Sequence, residues 1–429
     1  MNFPKEDEFN IKFRHLLDRF VLNKSNLKLT YRPNDVDSCF VNNIFVSIED
    51  RNRNLCSLTN LRLIILANFI SNFLGIKLKL NVCSEKTNDL KRFKSILELI
   101  NIKENLTLEF HSQHTDMEEI AKKFVQNIDE KFKTTDKEND VIVNFSRIKS
   151  EFNLEKYDQN LKNKYLDVLP LTAELYKNFL NENLPVYDGI QTLCLNSELF
   201  QAQKIDLLLR SFSDIDHKHK RYEHGFICTG IVKIDENEPS YFDLRDDFLK
   251  HYECRQKFFK YSAEQRQMMS EQICEVNIQN LTLFSLVYDM FNSNHQTDIK
   301  KFKCIDLEKI KIDENQKLGE QSSFILYNCA RISAILDKFY SNVDQGLFEK
   351  LKNTDDLDFY NLLKTNYERK ICSNFLFKCE SIFDEIYQSL TISGKNSVQI
   401  RINISKLLCF TNDLFNHFSK YYSKIRIIE

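Results

Sequence analysis

The 429-residue sequence has no tryptophan, only seven glycines and five prolines, and no excess of either charge, with 60 Lys and Arg against 62 Asp and Glu. Each shortage excludes something. Gly75, Gly189, Gly225, Gly230, Gly319, Gly346 and Gly394 build neither a G-x-G-x-x-G turn nor a P-loop. Phosphate cradles of that type need glycine because only glycine lets the backbone approach the oxygens closely. Ordinary kinases, P-loop NTPases and dinucleotide-dependent dehydrogenases are thereby excluded. Scarce glycine and proline also exclude collagen-like chains and long flexible linkers. With a net charge of −2, a polyanion would have to meet a local basic patch.

Long hydrophobic runs are missing too. The most apolar stretch, Leu61–Leu74, contains Arg62, Asn68 and Asn72 and is too short to span a bilayer. The first ten residues carry Lys5, Glu6, Asp7 and Glu8 and do not resemble a signal peptide. Twelve cysteines lie scattered between Cys39 and Cys409 without any C-x-x-C pair. That pattern reads as reduced, mostly buried thiols in a cytoplasmic protein, with no membrane association and no metal site. The 35 phenylalanines fit nucleotide bias in the gene, and no function is drawn from them.

What is present divides into three parts. Residues 1–50 read as a small α+β module. Phe9, Phe13, Leu16, Leu17 and Phe20 fall at helical spacing, followed by strand-like runs at Leu27–Tyr31 and Phe40–Ile48. Residues 51–318 alternate helix and strand, which implies a mainly parallel sheet. Their first helix is expected at Thr59–Leu74, with Thr59 as N-cap and Gly75 as its stop. Strands are expected at Ile76–Val82, Leu106–Phe110, Val141–Phe145, Gln191–Leu195 and Phe226–Ile234. Residues 319–429 read as helix throughout, ending in Val398–Ser423, where Leu407, Leu408, Leu414, Phe415 and Phe418 form an apolar stripe. The fold class is therefore α/β plus all-α.

Two stretches carry a resemblance. Phe324–Leu336, with Tyr327, Arg331 and Ile332, resembles the opening helix of the DALR anticodon-binding domain of arginyl-tRNA synthetases. Phe410–Tyr422 is similar to that domain's closing helix. Further back, Ser57-Leu-Thr-Asn-Leu-Arg62 falls where a class I synthetase keeps its His-x-Gly-His signature. Ser57 and Asn60 stand at the histidine positions and Thr59 at the glycine. Losing one electrostatic donor of that kind typically costs about a hundred- to a thousand-fold in rate, and both are replaced here. The second ATP-binding loop would follow the Phe226–Ile234 strand, where the chain reads Asp235-Glu-Asn-Glu-Pro-Ser-Tyr241, an acidic stretch.

The resemblance implies a degenerate class I synthetase-like Rossmann body followed by a C-terminal DALR helical bundle, without catalytic residues and without a small-molecule cofactor. It implies a non-catalytic adaptor that recognises particular arginine tRNAs and presents them to a methyltransferase forming N3-methylcytidine in the anticodon loop. The alternatives are a divergent but active arginyl-tRNA synthetase and a scaffold that makes only protein contacts.

The candidate tRNA-binding residues lie mostly at the C-terminus. Lys395–Glu429 holds six Lys and Arg, namely Lys395, Arg401, Lys406, Lys420, Lys424 and Arg426, against Asp413 and Glu429. His417, Tyr421 and Tyr422 interleave with them, as expected where unstacked bases meet aromatics and phosphates meet cations. Tyr421 and Tyr422 cannot both face the core. Tyr327 is expected in the core with Phe324 and Leu336. Arg331 reaches either a phosphate or a structural salt bridge. A secondary basic loop, His217, Lys218, His219, Lys220 and Arg221, either touches the tRNA body or is simply exposed. It lacks carboxylate or cysteine partners at metal-ligand spacing. No Ser/His/Asp set can be assembled from the nine scattered histidines.

Overall fold

Strand order decides the architecture. In the computed structural model of the chain, six parallel strands form one sheet in the order β13-β10-β9-β3-β4-β5. These are β3 (Asn43–Glu49), β4 (Lys77–Cys83), β5 (Leu106–His111), β9 (Gly189–Leu195), β10 (Glu223–Thr229) and β13 (Gln399–Ile400). Numbered among themselves, they follow the doubly wound order 3-2-1-4-5-6, with the switch point between β3 and β9. The structure describes residues 20–23, 28–31, 43–49, 54–75, 77–83, 87–100, 102, 106–111, 126–135, 141–165, 189–213, 223–234, 247–265, 271–294, 296–302, 319–349, 358–391 and 399–425.

Three smaller pairings flank the sheet. β1 (Phe20–Asn23) and β2 (Lys28–Tyr31) form an antiparallel hairpin pair. β6 (Lys133–Thr135), β7 (Val141–Asn144) and β8 (Asn163–Tyr165) form an antiparallel sheet. β11 (Val232–Ile234) pairs in parallel with β12 (Ile299–Phe302).

The helices of the body are α1 (Leu58–Leu74), α2 (Thr87–Leu99), α3 (Phe145–Phe152), α4 (Leu199–Ser211), α5 (Phe248–Gln265) and α6 (Glu271–Phe291). The apolar residues of α1, among them Leu58, Leu63, Leu66 and Ile70, are buried on nearly every side, which explains why its sequence shows little amphipathic contrast. Gly75 closes it in the left-handed conformation, φ 68°, as expected from the sequence.

The C-terminal helices include α7 (Glu320–Asp344), α8 (Asn366–Ile371), α9 (Phe377–Thr391) and α10 (Ile404–Tyr422). Phe415 of α10 and Ile325 of α7 share a small core with Tyr288 of α6. Phe383 of α9 stacks on Phe73 of α1 at 5.7 Å between ring centres.

Several expectations need correction. The sequence reads β3 as part of a separate module of residues 1–50, yet it is a central strand of the main sheet, with Ile44 and Val46 fully buried. The helix expected to end at Phe20 is not seen there, since Phe20 opens a strand; Phe9, Phe13, Leu16 and Leu17 lie outside the described residues. β7 belongs to the antiparallel sheet rather than the parallel one. The Phe226–Ile234 strand is two strands in different sheets, broken at Gly230, where a Cβ would lie 2.3 Å from the Thr297 backbone. Residues 319–429 are not all helix. Gln399 and Ile400 extend the body sheet by pairing with Phe226 and Ile227, so the two regions share one sheet.

Candidate nucleic-acid interface

In a doubly wound sheet, ligands sit at the carboxyl ends of the strands near the switch point. The loop after β3 and the start of α1 occupy that place. Here the signature residues are consumed by the fold. Ser57, not Thr59, is the N-cap of α1; its Oγ accepts the Asn60 backbone N–H at 3.1 Å. Asn60 Nδ2 donates to the carbonyls of Asn54 and Leu55 at 3.2 and 3.3 Å. Thr59 Oγ1 accepts the backbone N–H of Val232 at 3.0 Å and stitches α1 to β11. All three residues are buried.

Arg62, one turn further along, is fully buried and makes no ion pair with a carboxylate among the described residues. Its guanidinium donates to the carbonyls of Gly230 (3.1 Å), Thr297 (2.9 Å) and Asn294 (3.1 Å). Burial lowers its pKa to about 10, partly opposed by Asp298. Cys56, the residue before Ser57, is pushed up to about 11 by burial, partly opposed by Arg92. Donors aimed inward at protein carbonyls are not available to a phosphate. The Asp235–Tyr241 stretch lies outside the described residues.

The sequence offered no Ser/His/Asp set, and the structure assembles a related line. His224 Nδ1 lies 2.8 Å from Asp206 Oδ1, and His224 Nε2 lies 2.8 Å from Thr192 Oγ1. Asp206 also accepts from Tyr157 Oη (2.6 Å) and Arg210 Nε (2.9 Å). Burial raises the Asp206 carboxyl, but Arg210, His224 and Tyr157 outweigh it and hold it well below the usual carboxylate range. Asp206, His224 and Thr192 are all buried, so the arrangement pins β9, β10 and α4 together. Residues 192, 206 and 224 are distant in sequence, and no local motif signals the cluster.

The end of α10 differs. Asn403 caps this helix by accepting the Lys406 N–H at 3.1 Å. Its last turn brings Lys420, Tyr421, Tyr422 and Lys424 between α7 on one side and α8 on the other. On the α7 side, the Arg331 guanidinium lies 4.1 Å from the Tyr327 ring centre and 4.9 Å from that of Tyr422. It also donates to Tyr327 Oη at 2.6 Å. Tyr327 is 56% exposed and does not face the core, contrary to expectation. It lies on the flank of α7 away from buried Ile325 and Asn328. Arg331 thus forms no salt bridge among the described residues; it is held between two tyrosine faces.

On the α8 side, Tyr421 turns inward and donates to Glu368 Oε1 at 3.2 Å. Burial, and then Glu368, raise its pKa to about 12. Lys424 Nζ contacts Tyr367 Oη and lies 4.6 Å from that ring centre. The Lys424 ammonium, with Lys370 and Lys420 nearby, lowers the half-buried Tyr367 phenol below its ordinary pKa. Tyr367 and Lys370 were missed in the sequence. A readable signal was there, since Thr365 and Glu368 form a capping box that places both residues in one short helix.

The remaining candidates are dispersed. Lys406 is exposed but ion-paired with Glu385. His417 sits 4.8 Å from the Phe375 ring and bonds the Asp413 carbonyl at 3.0 Å. Arg401 is exposed, beside β13. Arg426 and His217, Lys218, His219, Lys220 and Arg221 lie outside the described residues. Among the described residues no three His, Cys, Asp or Glu side chains converge as metal ligands, and no helix is long and apolar enough to cross a membrane.

The chain is similar to DALR anticodon-binding domain-containing protein 3. The match to the Mus musculus protein is 23% identical over 233 residues, 54% of this chain and 40% of that protein. The Danio rerio protein matches at 24% over 205 residues, 47% of this chain and 34% of its own length. The alignments thus span less than half of these curated relatives. No family model matches. Among solved structures, arginyl-tRNA synthetase from Plasmodium falciparum superposes with a TM-score of 0.59 at 13% identity, covering 99% of this chain and 77% of that one. The fold is a synthetase-like Rossmann body followed by a helical domain.

Proposed function

We propose that this chain is a non-catalytic tRNA-binding adaptor, which holds arginine tRNAs through the end of α10 and presents them to a methyltransferase that forms N3-methylcytidine in the anticodon loop. The observation that carries the RNA-binding part is the surface of Tyr327, Arg331, Tyr422, Lys420, Lys424 and Tyr367. Its aromatic faces suit unstacked bases and its cations suit phosphates. The similarity to DALR anticodon-binding domain-containing protein 3 supports the same reading. The adaptor role and the methyltransferase follow from the resemblance read in the sequence. The absence of aminoacylation follows from Ser57, Thr59 and Asn60, whose polar atoms serve the fold.

Filter binding with purified arginine tRNA and a non-arginine tRNA tests the proposal. The expected result is preferential binding of the arginine tRNA that weakens steeply with salt, with a slope of about −0.7 to −0.9 per phosphate contact. Equal binding of both tRNAs, or none, overturns it. ATP–pyrophosphate exchange with arginine and tRNA separates the divergent-synthetase reading, and no exchange is expected. Methylation of the bound arginine tRNA by a purified N3-methylcytidine methyltransferase, with and without this chain, tests the adaptor role.

A further inference from the structure

Helix α8 and the end of α10 each turn two groups toward one spot. On α8, Lys370 follows Tyr367 by three residues, so both lie on one helix face. Lys424, just past the last residue of α10, follows Lys420 by four. The Lys424 Nζ joins the two pairs, since it contacts Tyr367 Oη and lies 4.6 Å from that ring centre. The phenol feels all three ammoniums, which hold it below its ordinary range. All three lysines are exposed.

Like charges set this close repel one another. Among the described residues none of Lys370, Lys420 and Lys424 is ion-paired with a carboxylate. Glu368, the acid between Tyr367 and Lys370 in sequence, is already committed. Its Oε2 accepts the Thr365 backbone N–H at 2.7 Å, and its Oε1 accepts the Tyr421 hydroxyl at 3.2 Å. Arg369 is turned elsewhere, donating to the Leu363 carbonyl at 3.1 Å and lying 5.5 Å from the Tyr360 ring centre. Lys406, earlier on α10, shows the ordinary arrangement, an exposed lysine paired with Glu385. The trio at the end of the helix has only a phenol in that place.

We infer that Lys370, Lys420, Lys424 and the Tyr367 hydroxyl form one seat for a single phosphate group, either a backbone phosphate of RNA or a free phosphate. Three ammoniums and a hydroxyl surround the site with donors, and every exposed oxygen of the anion accepts. Phosphate draws the Lys424 ammonium off the phenol, and the freed Tyr367 hydroxyl then donates to a phosphate oxygen. Rotatable point charges suit a tetrahedral anion met from several sides, whereas a planar carboxylate is matched by a guanidinium fork. Arg331, held on the α7 side between Tyr327 and Tyr422, takes no part. The seat lies within the surface assigned above to RNA. Its tRNA arm rests on that reading, and its free-phosphate arm does not.

The test acylates the full chain with a lysine-selective reagent in inorganic phosphate, acetate or chloride at one ionic strength. Modification is read residue by residue by mass spectrometry, and a second series adds arginine tRNA instead of phosphate. Inorganic phosphate is expected to slow acylation of Lys370, Lys420 and Lys424 together, each at least about threefold, and to leave exposed Lys378 unchanged. Tyr367→Phe is expected to reduce that protection. Protection by tRNA alone makes a backbone phosphate the occupant and supports the seat. Protection by neither, of only one lysine, or equally by acetate overturns the inference. Filter binding then counts phosphates. Lys424→Gln alone, and Lys370→Gln with Lys420→Gln and Lys424→Gln, are each expected to make the salt slope shallower by about 0.7–0.9, the value for one phosphate. A triple variant shallower by about 2 or more puts the lysines on separate phosphates and overturns the single seat. The variants alter exposed side chains, so their melting temperature is expected to match the parent's. Protection by inorganic phosphate in a chain that binds no tRNA supports the seat and counts against the proposed function alone.

Discussion

The start of α1 and the end of α10 hold similar chemistry and use it in opposite ways. Arg62, Ser57, Thr59 and Asn60 are buried, and their bonds run to backbone atoms of Gly230, Val232, Asn54, Leu55, Asn294 and Thr297. Lys420 and Lys424 are exposed, Arg331 and Tyr422 half-buried, and the cations of Arg331 and Lys424 rest on tyrosine ring faces. The difference teaches where each group spends its hydrogen bonds. A donor already committed to buried carbonyls holds the fold, whereas a cation resting on an aromatic face keeps capacity for a ligand.

Substitutions at the two ends should separate cleanly. The largest effect is expected from Arg62→Ala, which leaves three carbonyls short of a charged donor and opens a cavity. A loss of about 4 kcal/mol is expected in denaturant unfolding. Asp206→Ala belongs with the buried group and should cost about 3 kcal/mol, because it strands Arg210 and His224 without their acceptor.

The same carboxylate gives a pH dependence. Its pKa in the folded chain lies below that of an unfolded Asp, so the folded state binds fewer protons. Its stabilisation is therefore complete above about pH 4 and is lost as the pH falls further. Asp206→Asn should flatten that part of a stability–pH curve. An unchanged curve would mean the buried cluster is not what acid attacks.

At the other end, Lys420→Glu with Lys424→Glu should weaken arginine tRNA binding at least about tenfold at moderate salt, with a shallower salt slope. Its melting temperature should stay close to that of the parent chain. Loss of folding in this variant would erase the contrast. The smallest effect concerns the signature position. Thr59→Gly removes the bond to Val232 and should cost about 1–2 kcal/mol. Combining it with Ser57→His and Asn60→His should still give no ATP–pyrophosphate exchange. Exchange by that triple variant would show the position to be open after all.

Some of the fold was legible because its signals are local. Gly75 stops α1, and the apolar stripe of α10 predicts its packing face. Other features depend on partners far along the chain. β3 looks like part of an N-terminal module until its pairing with β9, more than 140 residues away, is seen. Tyr327 looks like a core residue because Phe324 and Leu336 are close in sequence. In the helix it projects from a different flank than Ile325 and Asn328, and Arg331 stacks on it.

The sequence by itself determined residue identities and periodicities. From these came a glycine-poor chain with Ser57, Thr59 and Asn60 at a signature position, a parallel α/β body, and a helical C-terminus with a local excess of bases. These are properties of neighbouring residues and helical repeats, which carry their physics within a few turns. Tertiary structure alone decided that Arg62 is buried, that Asp206, His224 and Thr192 form one line, and that β13 completes the body sheet. Each depends on which surfaces meet across long stretches of chain, and burial and hydrogen-bond commitment exist only once they have met.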